Sequence, residues 1–341
     1  IFISVNTPTK VKGFGAGYAC DLKWVEASAR QVAKYAKNHT IVVEKSTLPV
    51  KTAEVIQKIL MSSTEESSVS SSPKTFSILS NPEFLAEGSA IKDLNNPDRI
   101  LIGGDDQESI KVLESIYKEW VPEEKIISTN LWSSELSKLI SNAFLAQRIS
   151  SINAITALCE KTGAKVLEVS NAVGLDKRIG SKFLVPGPGF GGSCFNKDIL
   201  NLVYISNYFG LNEVAEYWEQ VIKINLWQKR RISKLIVDKL FGTVSLKKIV
   251  ILGFAFKSNT NDVRESPAIS IVKDLIENGA ELIIHDPKVK PFQIEKEINT
   301  QQNQTQENIG NWTFSDDIYQ SMENADAVVI ITEWDEYKLL D

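Results

Sequence analysis

The chain predicts an α/β protein with two parallel, helix-covered sheets joined by one long central helix. Three observations carry that expectation. Short β-type runs alternate with helix-patterned segments in two separate stretches. Between those stretches, residues 133–162 hold no proline or glycine and repeat apolar residues at helical spacing. The length, 341 residues, suits two domains.

The elements follow in order. Residues 1–5 are an apolar β-type run. Asn6-Thr7-Pro8-Thr9 breaks it, because the residue before proline is pushed out of the α region. A helix runs from an N-cap at Asp21 to Lys37, with Leu22, Val25, Ala29, Val32 and Ala36 on one side. Thr40–Glu44 is a strand ending in Lys45-Ser46-Thr47, and a helix covers Val50–Leu60. Ser62–Lys74, with seven serines and two glutamates, reads as a solvated, mobile loop. Phe76–Ser80 is the third strand and leads into Asn81–Gly88. Arg99–Gly103 is the fourth, followed by a helix to Trp120 and a short strand at Lys125–Ser128. Such alternation gives a parallel sheet, whose ligands lie beyond the carboxyl ends of the strands. Asn6–Thr9, Ser46-Thr47 and Asn81–Gly88 should therefore share one rim.

The helix Ser133–Thr162 is closed by Gly163 at its C′ position. Thirty such residues span roughly 45 Å, enough for a spine between two domains and a partner chain. Ser134, Lys138 and Asn142 lie four apart on one face. Leu139, Ile140, Ala143 and Phe144 flank them, so part of this polar group is expected to be buried.

The most chemically suggestive stretch is Gly189–Asp198, Gly-Phe-Gly-Gly-Ser-Cys-Phe-Asn-Lys-Asp. Its glycines allow close approach to a ligand. A helix capped by Ser193 would put Cys194 in its first turn, where free N–H groups favour a thiolate. Lys197 and Asp198 would share that face, grouping a nucleophile, a cation and a carboxylate.

A second long helix, Glu213–Leu240, carries Trp218, Trp227 and the cluster Lys229-Arg230-Arg231, read as a solvated face. The α/β pattern then returns. Lys248–Leu252 is a strand, Gly253–Lys257 a turn, and Ser266-Pro267 opens a helix to Asn278. Glu281–His285 is a strand ending at Asp286-Pro287, Asn299–Asn311 a loop, and Ala327–Ile331 the last strand. The turn at Gly253 is a place where a phosphate would meet backbone N–H groups, although only one glycine of a dinucleotide fingerprint is present.

Composition narrows the classes. The chain is 43% hydrophobic and 24% charged, as soluble globular proteins are. A net charge of −5 argues against a nucleic-acid surface. No apolar run reaches about 20 residues, so no membrane span is expected. The chain opens Ile-Phe-Ile-Ser-Val without Met or a charged start, so no signal peptide is expected. Three cysteines make no disulfide framework and point to a reducing, cytoplasmic setting. Cys20 and Cys159, in helix-like contexts, read as small buried hydrophobes. The two histidines, His39 and His285, lie far apart and support neither a metal site nor a Ser–His–Asp triad.

Seven stretches resemble the nucleotide-sugar dehydrogenase family, and within it the UDP-glucose 6-dehydrogenases. They are Ser4–Thr9, Glu44–Pro49, Asn81–Gly88, Asn96–Gly104, Ser133–Asn153, Gly189–Asp198, and Gly253–Lys257 with Arg264-Glu265-Ser266. The resemblance implies two Rossmann-like doubly wound parallel-sheet domains joined by the long central helix. The expected division is an NAD-binding part over 1–132, a central helical and dimerisation region over 133–241, and a UDP-sugar-binding domain over 242–341. The family opens with a Gly-x-Gly-x-x-Gly loop, whereas Gly13, Gly15 and Gly17 have another spacing. The expectation is that the chain starts inside the cofactor domain, at a later strand, and stops short of the family's usual end.

The implied reaction is NAD-dependent, four-electron oxidation of UDP-glucose to UDP-glucuronate. UDP-N-acetylmannosamine or GDP-mannose is the alternative substrate, and a non-catalytic UDP-sugar-binding fragment the alternative class. By resemblance Cys194 is the nucleophile, Lys138 stabilises charge on the C6 oxygen, and Asp198 works through a water that Thr47 and Glu83 order beside Asn142. The UDP-sugar contacts implied are Phe84, Leu85, Ala86 and Glu87, then Lys138, Asn142, Arg178 from a partner subunit, Phe183, Gly189, Phe190, Gly191, Phe256 and Lys257. The NAD contacts implied are Val5, Asn6, Thr7, Pro8, Thr9, Ser46, Thr47, Glu87, Cys194, Lys197 and Arg264. A homodimer through the central helix is expected, with a hexamer as the larger assembly, and no metal.

Overall fold

The computed structural model describes residues 1–65, 74–299 and 310–341. Much of the serine-rich loop, 66–73, and of the Gln/Asn-rich loop, 300–309, lies outside the described residues. Chain contacts divide the molecule into two units. The first holds Ile1–Ala143 and Lys197–Trp218, the second Phe144–Asn196 and Glu219–Asp341.

The first unit is built on a five-stranded sheet, β1 (Phe2–Ile3), β2 (Thr40–Glu44), β3 (Phe76–Ser80), β4 (Ile100–Gly104) and β5 (Ile126–Thr129), paired in that order. β1, β2 and β3 run parallel. Their carboxyl ends therefore form one rim, and the three polar segments after them lie on it. Helices α1 (Lys23–Tyr35) and α2 (Thr52–Glu65) cover one face, packing Val25, Ala29, Ile56 and Leu60 on Ile3 and Val42. On the other face α4 (Gln107–Lys118) packs Ile110 and Leu113 on Val43, Leu79 and Ile102. Val42 and Val43 point to opposite faces, as neighbours on a strand must.

The expectation of an all-parallel sheet is corrected at one pair. β3 and β4 are antiparallel, Leu79 opposite Gly104 and Ser80 opposite Gly103. The reason lies between them. A parallel crossover needs a helix long enough to return the chain to the starting edge. Here α3 (Ala90–Asn95) has six residues, so the chain comes back beside β3 in the opposite sense.

α5 (Leu131–Thr162) is the long central helix, 32 residues, closed by Gly163 at φ 78°. Its start presses on the sheet: a Cβ at Gly103 would lie 2.4 Å from the Ser134 Cβ, so only glycine admits that approach. Ser134 Oγ donates to Ser80 O at 3.3 Å.

The second unit adds α6 (Val166–Gly174), while α7 (Phe195–Tyr208) and α8 (Asn212–Lys239) each contribute residues to both units. Its sheet is β6 (Lys248–Leu252), β7 (Glu281–His285), β8 (Asn311–Phe314) and β9 (Ala327–Ile330), all parallel in the order β8-β7-β6-β9. β6 sits between the strand that follows it and the last strand, so the connections leave in two directions. α9 (Pro267–Glu277) buries Ala268, Ile271, Val272 and Leu275 on this sheet, and its N-cap Ser266 accepts from Ala268 N. α10 (Pro291–Asn299) adds Ile294 and Ile298, and α11 (Ile318–Met322) follows β8.

Three local expectations change. Cys20 is buried as expected but sits in a bridge with Thr9, outside any helix. α7 begins at Phe195, so Cys194 precedes the first turn, and the Ser193 hydroxyl meets the Cys194 thiol at 3.7 Å instead of capping N–H groups. The cluster at 229–231 is not a solvated face: Lys229 is buried among α8's contacts, and only Arg230 is exposed.

Candidate active site

Polar residues on a helix that packs against a sheet must be buried together or not at all. On α5, Ser134, Lys138 and Asn142 are all buried. Lys138 keeps only 4% of its surface, and its ammonium stands 3.9 Å from Glu83 Oε1 and 5.3 Å from the centre of the Phe84 ring. The same ring carries the Arg99 guanidinium, 3.8 Å from its centre, a contact not read from the sequence. Such stacking gives a buried cation a partly satisfied environment without neutralising it.

Glu83 sits in the turn after β3. Its Oε2 accepts from Leu85 N at 2.7 Å, and Asp93 accepts from Ala86 N at 2.9 Å. The backbone of Phe84–Glu87 is thus shaped by two carboxylates. Behind the turn, Lys45 donates to Asn81 Oδ1 at 3.1 Å and to Tyr117 OH at 3.3 Å. Burial lowers the Lys45 ammonium to about 8, against the opposing pull of Glu83.

Asn142 Nδ2 donates to Asp198 Oδ2 at 2.5 Å. Asp198, almost fully buried at the start of α7, has Lys197 Nζ 3.7 Å from its Oδ1. Burial raises its carboxyl above the ordinary Asp range, while Lys197, Asn142 and Lys138 pull it back. Lys197 also donates to Thr7 Oγ1 at 3.1 Å, and Thr7 Oγ1 donates to Thr47 O at 3.1 Å. Ser46 Oγ bonds both Val5 N, at 2.7 Å, and Val5 O, at 2.8 Å. The first unit therefore joins Thr7, Thr47, Glu83, Lys138, Asn142, Lys197 and Asp198 into one polar group along the rim.

The second unit holds the glycine loop. A Cβ at Gly191 would lie 2.6 Å from Glu265 O and 2.9 Å from the Phe256 Cβ. Gly192 N donates to Arg264 O at 2.8 Å. The motifs around Gly189, Phe256 and Arg264 thus meet through glycine backbone. Phe190 packs edge-on against Phe195, centroids 5.8 Å apart. Cys194 is exposed at the end of this loop. Arg178 is exposed and paired with Asp176, and Phe183 takes a left-handed φ of 62°.

Sequence reading missed what holds this loop. Asn225 accepts from Phe190 N at 2.8 Å and donates to Phe190 O at 3.0 Å. Gln228 donates to Gly187 O at 2.9 Å, and Asn153 accepts from Gly187 N at 2.9 Å. Lys229 Nζ donates to Glu265 O at 3.1 Å, and burial lowers its pKa. Asn225, Gln228 and Lys229 are spaced as one helical face, and that spacing was the available signal.

The turn at Gly253 also differs from expectation. Asp286 Oδ2 accepts from Phe254 N at 2.7 Å, Ala255 N at 2.9 Å and Trp334 Nε1 at 3.2 Å. Its Oδ1 accepts from Lys288 N and Val289 N, each at 2.9 Å. The amides assigned to a phosphate are therefore already taken by an internal carboxylate. Among the described residues, no group of His, Cys, Asp and Glu could hold a metal ion, and no helix is long and apolar enough to cross a membrane.

Comparison with known proteins matches three regions of the chain to one family. Residues 1–121 match the NAD binding domain of the UDP-glucose/GDP-mannose dehydrogenase family, 132–227 its central domain, and 250–341 its UDP binding domain. UDP-glucose 6-dehydrogenase 4 of Arabidopsis thaliana is 54% identical over 355 residues, covering 100% of this chain and 72% of its own length. UDP-glucose 6-dehydrogenase of Gallus gallus is 54% identical over 349 residues, covering 100% and 69%. Among solved structures, a UDP-glucose dehydrogenase from the hyperthermophilic archaeon Pyrobaculum islandicum superposes with a TM-score of 0.85 at 34% identity, covering 100% of this chain and 73% of that one. A UDP-N-acetylmannosamine dehydrogenase from Pyrococcus horikoshii gives 0.79 at 26%, covering 100% and 72%.

Proposed function

The chain belongs to the UDP-glucose/GDP-mannose dehydrogenase family, and on that premise we propose that it oxidises UDP-glucose to UDP-glucuronate with NAD, through a covalent bond to Cys194. The observation that carries the reading is the buried Asp198, bonded to Asn142 and flanked by the cations Lys197 and Lys138.

The residues at the rim suit a dinucleotide. Val5–Thr9, Ser46, Thr47, Glu87 and Lys197 offer hydroxyls, backbone amides and an ammonium at the carboxyl ends of parallel strands, where such ligands bind. Bound NAD supplies the hydride acceptor for each of the two oxidations. Arg264, at the glycine loop, is assigned to the cofactor as well.

The remaining chemistry is the chain's own. Asp198 takes the C6 hydroxyl proton through a water that Thr47 and Glu83 order. Burial raises its pKa above the ordinary Asp range, which makes it a stronger proton acceptor than a solvated aspartate. Lys138 faces the developing charge on the C6 oxygen, an interaction worth about 3–4 kcal/mol where water is excluded. The first oxidation leaves an aldehyde. Cys194 Sγ bonds its carbon, giving a thiohemiacetal, because an aldehyde must be held covalently before it can lose a second hydride. The second oxidation leaves a thioester. Water activated by Asp198 then adds, the C–S bond breaks, and carboxylate and thiol are released.

The UDP-sugar is assigned to Phe84, Leu85, Ala86, Glu87, Lys138 and Asn142 in the first unit. In the second unit it is assigned to Phe183, Gly189–Gly191, Phe256 and Lys257. Arg178 is assigned to a partner's substrate, which its exposed position permits. The same reading assigns 1–132 to the cofactor, 133–241 to dimerisation and the cysteine loop, and 242–341 to the UDP-sugar. A homodimer through α5 is supported by Leu136, Phe144, Ile155 and Leu158, exposed within one stripe about 100° wide. A cytoplasmic setting is supported by three free cysteines.

A Cys194→Ser variant tests the covalent step. It should bind UDP-glucose and NAD as the parent does, yet release UDP-glucuronate at least about a hundredfold more slowly. Product formation at the parent rate would overturn the role of Cys194.

A further inference from the structure

Two buried acids outside the mechanism close the loop that carries Ser46 and Thr47. Glu135, from the first turns of α5, accepts Lys51 N at 2.7 Å through Oε2 and Ala53 N at 3.0 Å through Oε1. It thereby caps the start of α2 and holds Lys51 at a left-handed φ of 77°. At the loop's other end stands Glu44, the last residue of β2. Glu44 and Glu135 are 1% and 3% exposed.

No N–H or O–H of a described residue reaches either carboxyl oxygen of Glu44. Its polar neighbour is the Glu135 carboxyl. Two carboxylates offer each other only acceptors, so a bond between them requires a proton. Both oxygens of Glu135 already accept amides, which makes Glu135 the carboxylate and Glu44 the acid.

We propose that Glu44 and Glu135 share one proton and act as positioning residues, stapling the Thr47 loop to the helix that carries Lys138. Thr47 lies three residues after Glu44, and Lys138 three residues, one turn, after Glu135. The assignment rests on reading Thr47 and Lys138 as parts of the oxidation site. Burial raises Glu44 well above the ordinary carboxyl range. Burial also raises Glu135 to about 7, with the Ala53 and Lys51 amides and Glu44 pulling it down and Glu54 pushing it up. The groups facing the pair are thus Glu44 from β2, Glu135 from α5 and Glu54 from α2. The Lys51 ammonium turns elsewhere, 5.9 Å from each of the Trp132 and Phe209 ring centres. Losing the shared proton leaves two like charges in a buried site, and the staple opens.

Acids whose pKa is raised on folding stabilise the fold below their unfolded value, and that contribution is lost as pH rises through the folded value. The thermal midpoint of the parent should therefore fall as pH rises from about 4.5, the ordinary glutamate value, and that of Glu44→Gln should fall less. Infrared difference spectra of the parent against Glu44→Gln at about pH 8, above the Glu135 value, should show a protonated carboxylic acid band in the parent alone. A parent without that band overturns the shared proton.

Kinetics test the positioning. Glu44→Leu should lower kcat about tenfold while KM for UDP-glucose moves less than about threefold. Glu44→Gln, whose amide can still donate to Glu135, should recover most of that loss. Equal kcat in parent and both variants overturns the positioning role. If Glu44→Leu does not fold, Glu135→Gln replaces it. Its single acceptor oxygen leaves one α2 amide unpaired, and the same kcat-weighted loss is expected. If the parent oxidises no nucleotide sugar, the functional reading fails, while the infrared and melting results still decide the shared proton.

Discussion

Single residues in this protein are tuned chiefly by burial. Asp198 and Lys138 both belong to types that are charged in water, and both are nearly sealed from it. Asp198 answers by rising in pKa, with Asn142 and Lys197 limiting the rise. In the proposed role of base, Asp198 works only once deprotonated, so kcat/KM should fall on acidification at a pH above the ordinary aspartate range. A pH–rate profile checks this, and Asp198→Asn should flatten that limb at a much lower kcat. Lys138 stands beside Glu83 at 3.9 Å without a hydrogen bond between them, leaving its ammonium oriented but unspent. Lys138→Ala should lower kcat by about two to three powers of ten and change KM far less. Steady-state kinetics that move both equally would indicate a binding role. Chemistry of this sort was legible in residue types. The shared face of Ser134, Lys138 and Asn142 and the glycine-cysteine stretch are spaced by helix geometry, which a sequence displays. The partners that set pKa values were not legible, because Asn142 and Asp198 lie 56 positions apart.

At the scale of elements, α5 and α8 show how polar residues on a buried face become structural clamps. Asn225 makes two hydrogen bonds to the backbone of Phe190, and Gln228 and Lys229 continue the same face. Asn225→Ala would strand a buried N–H and C=O together, at about 1–3 kcal/mol for each group left unpaired. Denaturant titration should show that loss, with KM for UDP-glucose rising because the Gly189–Gly192 loop is no longer held. An unchanged midpoint would show that water replaces the amide. The strand ends Thr40–Glu44, Phe76–Ser80, Lys248–Leu252 and Glu281–His285 agree with expectation to the residue. Each is bounded by a sharp change from β-branched residues to turn formers. The antiparallel β3–β4 pair was missed because strand direction depends on whether the connection crosses over, not on the strand's own residues. The buried Lys229 was missed for a similar reason: a charged triplet reads as solvated until a carbonyl such as Glu265 O is brought to it.

For the whole molecule, assembly and fold follow from different signals. The exposed apolar stripe of α5 predicts association. Leu158→Asp, which places a charge in that stripe, should lower the solution mass measured by light scattering toward that of a single chain while leaving the fold intact. A parent that is monomeric at all concentrations would remove the stripe from consideration. The α/β class, the long central helix and the rim where three strands end were legible in the residues alone. Each of these is written in local periodicity, punctuation by glycine and proline, or motif order. The direction of β4, the capture of the Gly253 turn by Asp286, the clamp on the glycine loop and the Glu44–Glu135 pair emerged only with the folded contacts. Those features depend on contacts between distant positions, and burial alone reveals which polar groups must find each other.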